Sequence, residues 1–241
     1  MKRFPKTEFL SIFSVLLGVI GLGLQGWLLS NPDKDGLLPH GHVAELLSLV
    51  LLGVVFLVNY LFLRTVRPNG GYDQLFPRSI PSSIGFFLAS FGLLFSSLTI
   101  AATGIILILI YVLGILSGFA LAYAGYCRLR GEPTNCLLFA VIAAYMIFRT
   151  LAACQAWSSE VQVQYYVFPL LANLSLLAAA FYRAAIGADM GNCRRYLLLR
   201  NVAVFCCMLS IVSGDWLFYT TGAVWMLTDF CDPFLYGKYA V

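Results

Sequence analysis

Residues 81–126 read "PSSIGFFLASFGLLFSSLTIAATGIILILIYVLGILSGFALAYAGY" and contain no charged side chain. Lipid offers no hydrogen bonds to a free backbone amide, so a stretch of this kind has to be helical inside a membrane. One crossing takes about 20 residues, which makes this stretch long enough for two. The segment "IAATG" at 100–104 is its only interruption. We therefore predict two helices, 82–101 and 104–126, joined by a tight turn.

The rest of the chain has the same character. Of the 241 residues, 61% are hydrophobic and 11% are charged, a share of charge well below that of soluble domains. This composition predicts an all-α, polytopic integral membrane protein with a single transmembrane domain over 1–241. Five more apolar windows bring the prediction to a seven-transmembrane-helix bundle: 9–30, 43–63, 136–157, 166–187 and 201–220. The first window is too long for a secretory signal and is predicted to be a retained helix.

The positive residues orient this bundle. Basic side chains prefer cytoplasmic loops, and with the N-terminus inside, twelve of the fifteen Lys and Arg residues fall on the cytoplasmic side. Arg128, Arg183 and Arg200 are among these twelve. The inner loop at 187–200 and the loop with Arg64, Arg67 and Arg78 are expected to form a basic cytoplasmic rim. The prediction is a cytoplasmic N-terminus and an outside C-terminus, with the tail 221–241 along the outer interface and Trp225 in the headgroup belt. A re-entrant hairpin is the alternative for this tail.

One arginine does not fit a loop. Arg149 lies inside "YMIFRTLAACQAW" (145–157), about 12 Å below Trp157 on the helical rise, and a charge at that depth needs a partner or water. The same arithmetic brings Asn173 and Asp215 to a similar depth. We predict a bidentate ion pair between Arg149 and Asp215, with a further hydrogen bond from Asn173.

The surroundings of Arg149 suggest a cavity. Tyr145 is predicted one turn below it on the same helix face, and three small residues follow above it: Ala152, Ala153 and Ala156. That face would open outward, so a cavity among the second, fifth, sixth and seventh helices would offer a guanidinium to an anionic or polar solute.

The segment "HGHVAE" (40–45) precedes the second helix. His42 and Glu45, with His40, favour a helix start with satisfied polar groups over a pH-sensitive pair or a metal site, because zinc ligands usually show wider separations. As part of the proposed cavity, His42 and Glu45 would shape its entrance. Polar Ser48 and Asn59 continue the Glu45 face, as either a permeation path or a helix seam.

Small residues form two stripes at helical spacing, and such stripes favour close helix contact in membranes. They consist of Ser11, Ser14, Gly18, Gly21 and Gln25 in the first helix, and Gly114, Gly118, Ala122 and Gly125 in the fourth.

Several function classes are excluded. The last predicted helix has no lysine for a retinal Schiff base, and no phosphate-binding loop of the G-x-x-x-x-G-K-[ST] type occurs. No nucleophile with a base at plausible spacing is visible, so no catalytic residue is predicted, and an intramembrane enzyme is the third alternative. No metal site and no cofactor are predicted either.

The first interpretation is a small transporter or solute-binding protein of the plasma (inner) membrane. Its ligand-binding residues are predicted to be Arg149, Asp215, Asn173, Tyr145, Glu45 and His42. The second is a receptor, sensor or assembly subunit in which the ion pair is structural. Expected partners are membrane lipids, a small anionic or polar solute and, in the second case, another membrane subunit; nucleic acid is not expected.

Overall fold

The computed structural model describes residues 6–31, 43–64, 75–76, 78–99, 104–158 and 163–229, and over these residues it contains helices and no strand. A short 3-10 turn, Val163–Tyr166, precedes α6. The α-helices in chain order are α1 (Lys6–Ser30), α2 (Val43–Arg64), α3 (Ile80–Leu98), α4 (Ile105–Arg130), α5 (Cys136–Trp157), α6 (Val167–Gly187), α7 (Cys193–Ser210) and α8 (Trp216–Thr228).

Helices α1 to α6 are long and apolar enough to cross a membrane, with Phe9–Ser30 as the apolar part of α1. These six helices make the chain a helical integral membrane protein. The division of residues 81–126 is confirmed, since α3 ends at Leu98 and α4 begins at Ile105.

The prediction of one helix over 201–220 is wrong. Helix α7 begins earlier, at Cys193, and ends at Ser210, and α8 begins at Trp216. Between them Gly214 has φ +98°, a left-handed conformation that glycine adopts at little cost. The apolar window conceals the Ser213-Gly214 dipeptide, which is a turn signal. Seven crossings are therefore not confirmed.

The interfacial placement of the tail is also wrong where the structure describes it. Residues 221–228 belong to α8, and Trp225 is only 2% exposed, so it packs inside the protein and not in a headgroup belt. The remainder of that tail, 230–241, lies outside the described residues.

The helices alternate in direction between two ends of the bundle. We call the end that holds Arg128, Arg183 and Arg200 the basic end, and the opposite one the Trp157 end. Helix α1 begins at the basic end, where Ser11 contacts Arg200. Helix α8 also finishes there, because Asp229, which follows it, contacts Arg183. The expectation that residue 229 lies on the side opposite the N-terminus is therefore wrong, since α8 turns back.

Six helices pack into a closed ring in which α3 contacts α4, α4 contacts α5, and so on to α8, which contacts α3. Helix α1 packs outside this ring against α7, and α2 packs against both α1 and α7. Helix α8 is the most enclosed element, because no residue from Leu217 to Thr228 is exposed.

The two small-residue stripes lie in helix seams, as predicted. Gly18 and Gly21 of α1 face Met208 and Leu209 of α7. In the second stripe, Gly114 of α4 faces Ser97 of α3, and Gly118 faces Leu94. Close backbone approach is what stabilises helix pairs in lipid, where burial of apolar surface gains little.

Candidate functional site

Helix α5 carries the central arginine. Its start is fixed by Asn135, whose side chain accepts a hydrogen bond from the Leu137 amide at 3.0 Å, and it continues to Trp157. The residues between contain one charged side chain, Arg149, which is 9% exposed and points into the bundle.

Three aromatic or acidic side chains contact the Arg149 guanidinium. Nη2 donates to Oδ2 of Asp215 at 2.6 Å, and Nη1 donates to the Tyr145 hydroxyl at 3.4 Å. The guanidinium carbon lies 3.6 Å from the centroid of the Phe218 ring, an arrangement worth about 2 kcal/mol where water is excluded. The predicted pair of Arg149 and Asp215 is present, with one contact instead of the expected two.

The two partners of this pair differ sharply in exposure. The Arg149 side chain is 10% exposed and that of Asp215 is 66% exposed. Asp215 occupies the N-cap position of α8 but makes no capping hydrogen bond from its side chain. The carboxylate therefore stands at an open boundary, and the guanidinium stands behind it.

A cavity of about 230 Å³ adjoins the pair at the Trp157 end. At roughly 30 Å³ per water in the liquid, this volume equals seven or eight waters. Its polar lining consists of Arg149, Asn173, Asp215 and Tyr219. Its small lining residues on α5 are the predicted Ala152, Ala153 and Ala156.

Leu107 and Ile110 of α4 complete the wall, with Trp157 at the end of α5. Trp157 stacks on Tyr166 with ring centroids 4.8 Å apart. The neighbouring Tyr165 donates to the Val212 carbonyl at 3.4 Å, and burial raises the pKa of that Tyr165 hydroxyl. These contacts tie the start of α6 to the turn that places Asp215.

The polar lining has unused hydrogen-bonding capacity of both kinds. Asn173 is 1% exposed, and its Oδ1 has no hydrogen-bond partner among the described residues. A guanidinium has five N–H donors, and the contacts of Arg149 with Tyr145 and Asp215 use two of them. Unused donors and an unpaired acceptor thus belong to residues that line the same cavity.

The structure brings together Arg149, Asn173 and Asp215 of the predicted site and sets Tyr145 behind them. Tyr145 is fully buried against Phe218 and does not line the cavity. Helix α2 does not line it either, because α2 lies outside the ring, so that one predicted wall is wrong. Helix α4 lines the cavity instead, together with α5, α6 and α8.

One of the two predicted entrance residues, Glu45, does not line this cavity. Glu45 is half-buried in the first turn of α2 and is absent from the lining. His42 lies outside the described residues.

The polar stripe of α2 is a seam. Ser48 accepts from Gln25 of α1 at 3.2 Å, and Asn59 donates to Ser14 of α1 at 3.3 Å. Asn59 also accepts from Asn201 of α7 at 2.6 Å. Both Ser48 and Asn59 are fully buried, so these side chains join α1, α2 and α7.

A second polar centre, which the sequence reading missed, lies at the basic end. We call Arg183, Tyr196, Arg200 and Asp229 the arginine cluster. Arg183 Nε lies 2.9 Å from Asp229 Oδ2, and the Tyr196 hydroxyl donates to the same oxygen. Arg200 Nη1 donates to the Asp229 carbonyl at 2.8 Å. One aspartate thus fastens the end of α8 to α6 and α7.

The predicted basic rim is wrong for Arg200, which is only 2% exposed. Arg128 and Arg183, at 3% and 1% exposed, are also buried inside the bundle. The guanidiniums of Arg128 and Arg183 lie 5.0 and 3.5 Å from the centroid of the Phe76 ring. An aromatic face thus stabilises these cations inside the bundle.

A local signal for this centre was available. Ser213-Gly214 marks a turn, and Asp is a favoured N-cap residue. Ending one helix there and starting another at Trp216 brings Asp229 back to the depth of Arg183 and Arg200.

Among the described residues, no group of three His, Cys, Asp or Glu side chains is placed to hold a metal ion. Comparison of the chain with protein-family models, with curated proteins and with solved structures gives no match.

Proposed function

We propose that the protein is a small transporter or solute-binding protein of the plasma membrane, and that Arg149 binds the anionic group of a small solute in the cavity at the Trp157 end. The observation that carries this proposal is the cavity beside a buried guanidinium with unused N–H donors. Charged side chains within membrane segments commonly mark solute or ion pathways.

The contrast with the arginine cluster supports a separate role for this pair. The Arg183 and Asp229 side chains are 1% and 0% exposed, so that pair is sealed. The pair of Arg149 and Asp215 adjoins a cavity, and its carboxylate is mostly exposed. A purely structural bond gains nothing from such an opening.

The test is calorimetric binding of small carboxylates, acetate and propionate, to the purified protein in lipid nanodiscs. Ala153→Phe fills the cavity and leaves the ion pair intact, so we expect it to abolish binding. Ala140→Phe is the matched control, because Ala140 is exposed on the same helix. Binding that survives Ala153→Phe refutes the proposal.

The second candidate is an assembly subunit or receptor in which Arg149 only fixes helix packing. The stacking of Arg149 on Phe218 holds α5 against α8, and the hydrogen bond from Arg149 to Tyr145 lies within α5. Both contacts favour this interpretation. It predicts that Arg149→Leu with Asp215→Leu, which replaces the pair with apolar side chains, leaves activity in the native host unchanged. Loss of activity from a folded double variant favours solute binding.

A further inference from the structure

We infer that the solute is a zwitterion of small α-amino-acid type, with its carboxylate on Arg149 and its ammonium group on Asn173 and Asp215. This inference rests on the proposed function and names the solute class for the same cavity. Its starting point is the mixture of unused donors and acceptors among the polar lining residues.

One hydrogen-bond acceptor among the lining residues has no partner. Asn173 Oδ1 is buried without a hydrogen-bond partner among the described residues, and it belongs to a residue that lines the cavity. An unpaired buried acceptor is costly, so a ligand that supplies a donor there gains affinity. A simple carboxylate has no donor to supply, whereas an ammonium group has three.

The net charge of the ion pair favours a zwitterionic solute. Arg149 and Asp215 already form a neutral pair at 2.6 Å. A lone anion beside this pair leaves the cavity with one excess negative charge and is repelled by the Asp215 carboxylate. A zwitterion adds no net charge, and its two ends match the two signs of the pair.

The volume and the apolar walls of the cavity favour a small solute. The cavity of about 230 Å³ is below the range of about 300–1,000 Å³ that holds drug-sized ligands. Beyond the polar residues, its lining is apolar, with Leu107, Ile110 and the alanines of α5. A small aliphatic side chain fits this combination better than a sugar or a nucleotide.

The experiment compares matched compounds by calorimetry in nanodiscs: glycine, alanine and leucine, the carboxylic acids that lack their amino group, and their amides. We expect at least one amino acid to bind about tenfold or more tightly than its acid and its amide, a difference of one 1.4 kcal/mol step. Asn173→Leu removes the acceptor at nearly the same volume, and we expect it to reduce the preference for amino acid over acid by about tenfold.

The outcomes separate the two claims. Carboxylic acids that bind as tightly as the amino acids, with binding lost in Ala153→Phe, overturn the zwitterion and leave the proposed function standing. If the amides bind as tightly as the amino acids, the carboxylate does not contribute to binding. Arg149 then has no role as an anion site, and both claims are overturned. If none of the compounds binds, both claims fail. A folded Asn173→Leu protein with an unchanged preference also overturns the zwitterion.

Discussion

At the scale of single residues, two buried arginines are stabilised in different ways. Arg149 has an aromatic ring, a hydroxyl and a carboxylate that borders open space. Arg183 has aromatic rings and a carboxylate that is completely enclosed. The first arrangement leaves the cation available to a solute, and the second commits it to the fold.

This contrast predicts different effects of removing each carboxylate. Asp229→Asn leaves Arg183 buried without its counter-charge and replaces a charged acceptor of the Tyr196 hydroxyl with a neutral one. We therefore expect a loss of about 3–5 kcal/mol in the free energy of unfolding. Asp215→Asn is the matched control, with a loss less than half as large, because water reaches its partner through the cavity. Reversible unfolding in mixed detergent micelles measures both.

Equal losses in the two variants would contradict the distinction between a sealed and an open pair. A larger loss from Asp215→Asn would assign the main structural role to Arg149.

The sequence predicted the residues of one centre and not those of the other. Arg149, Asn173 and Asp215 were brought to one depth by the constant rise of a helix, which holds for α5 and α6 whatever their packing. The estimate for Asp215 assumed a helix that begins near residue 201. Helix α7 begins earlier, at Cys193, and also ends earlier, at Ser210. The two differences offset each other, so Asp215 still lies near the depth of Arg149.

At the scale of elements, α8 decides how the bundle closes. It contacts α3 on one side and α7 on the other, and glycines on α3 allow the approach. A Cβ added at Gly92 would overlap Thr221 Oγ1, and one at Gly85 would overlap Thr228. These two glycines and two threonines form the seam of α3 and α8.

We expect Gly92→Ala to lower stability by about 1–3 kcal/mol, the usual range for an extra methyl group forced into a packed site. Thr221→Ala in the same protein should relieve much of this loss, since the overlapping hydroxyl is gone. Gly23→Ala is the control, because nothing lies within 4 Å of a Cβ at Gly23. Unfolding of the single and double variants measures the coupling.

Strict additivity of Gly92→Ala and Thr221→Ala would mean that α3 and α8 do not meet at this point.

Helix boundaries show what a hydropathy reading can and cannot give. The first six windows correspond to α1 to α6, because each is a long apolar run limited by charged or turn residues. The window over 201–220 is wrong because its mean hydropathy hides the short turn segment Ser213-Gly214-Asp215 within apolar surroundings. The local turn chemistry there outweighs the mean hydropathy of the window.

At the scale of the whole molecule, arginines separate the two ends of the bundle. Apart from Arg149, every described arginine lies at the basic end, from Arg64 at the end of α2 to Arg200 in α7. Positive residues favour the cytoplasm, so the cytoplasmic N-terminus stays a prediction that this distribution supports.

Cysteine labelling tests this orientation. In a protein whose native cysteines are replaced, Met190→Cys lies between α6 and α7 at the basic end, and Gln155→Cys lies near the Trp157 end of α5; both positions are exposed. A membrane-impermeant maleimide added to intact cells should label Gln155→Cys and spare Met190→Cys. Met190→Cys should react after the membrane is opened. The reverse pattern would invert the protein and turn the cavity toward the cytoplasm.

Helix α8 also has a consequence for biogenesis. Its 13 residues reach only about 20 Å, too short to cross a hydrocarbon layer of about 30 Å unaided. Because α8 packs between α3 and α7, its stability in the membrane depends on both neighbours. We therefore expect α8 to dock late in folding, after α3 and α7 have been inserted.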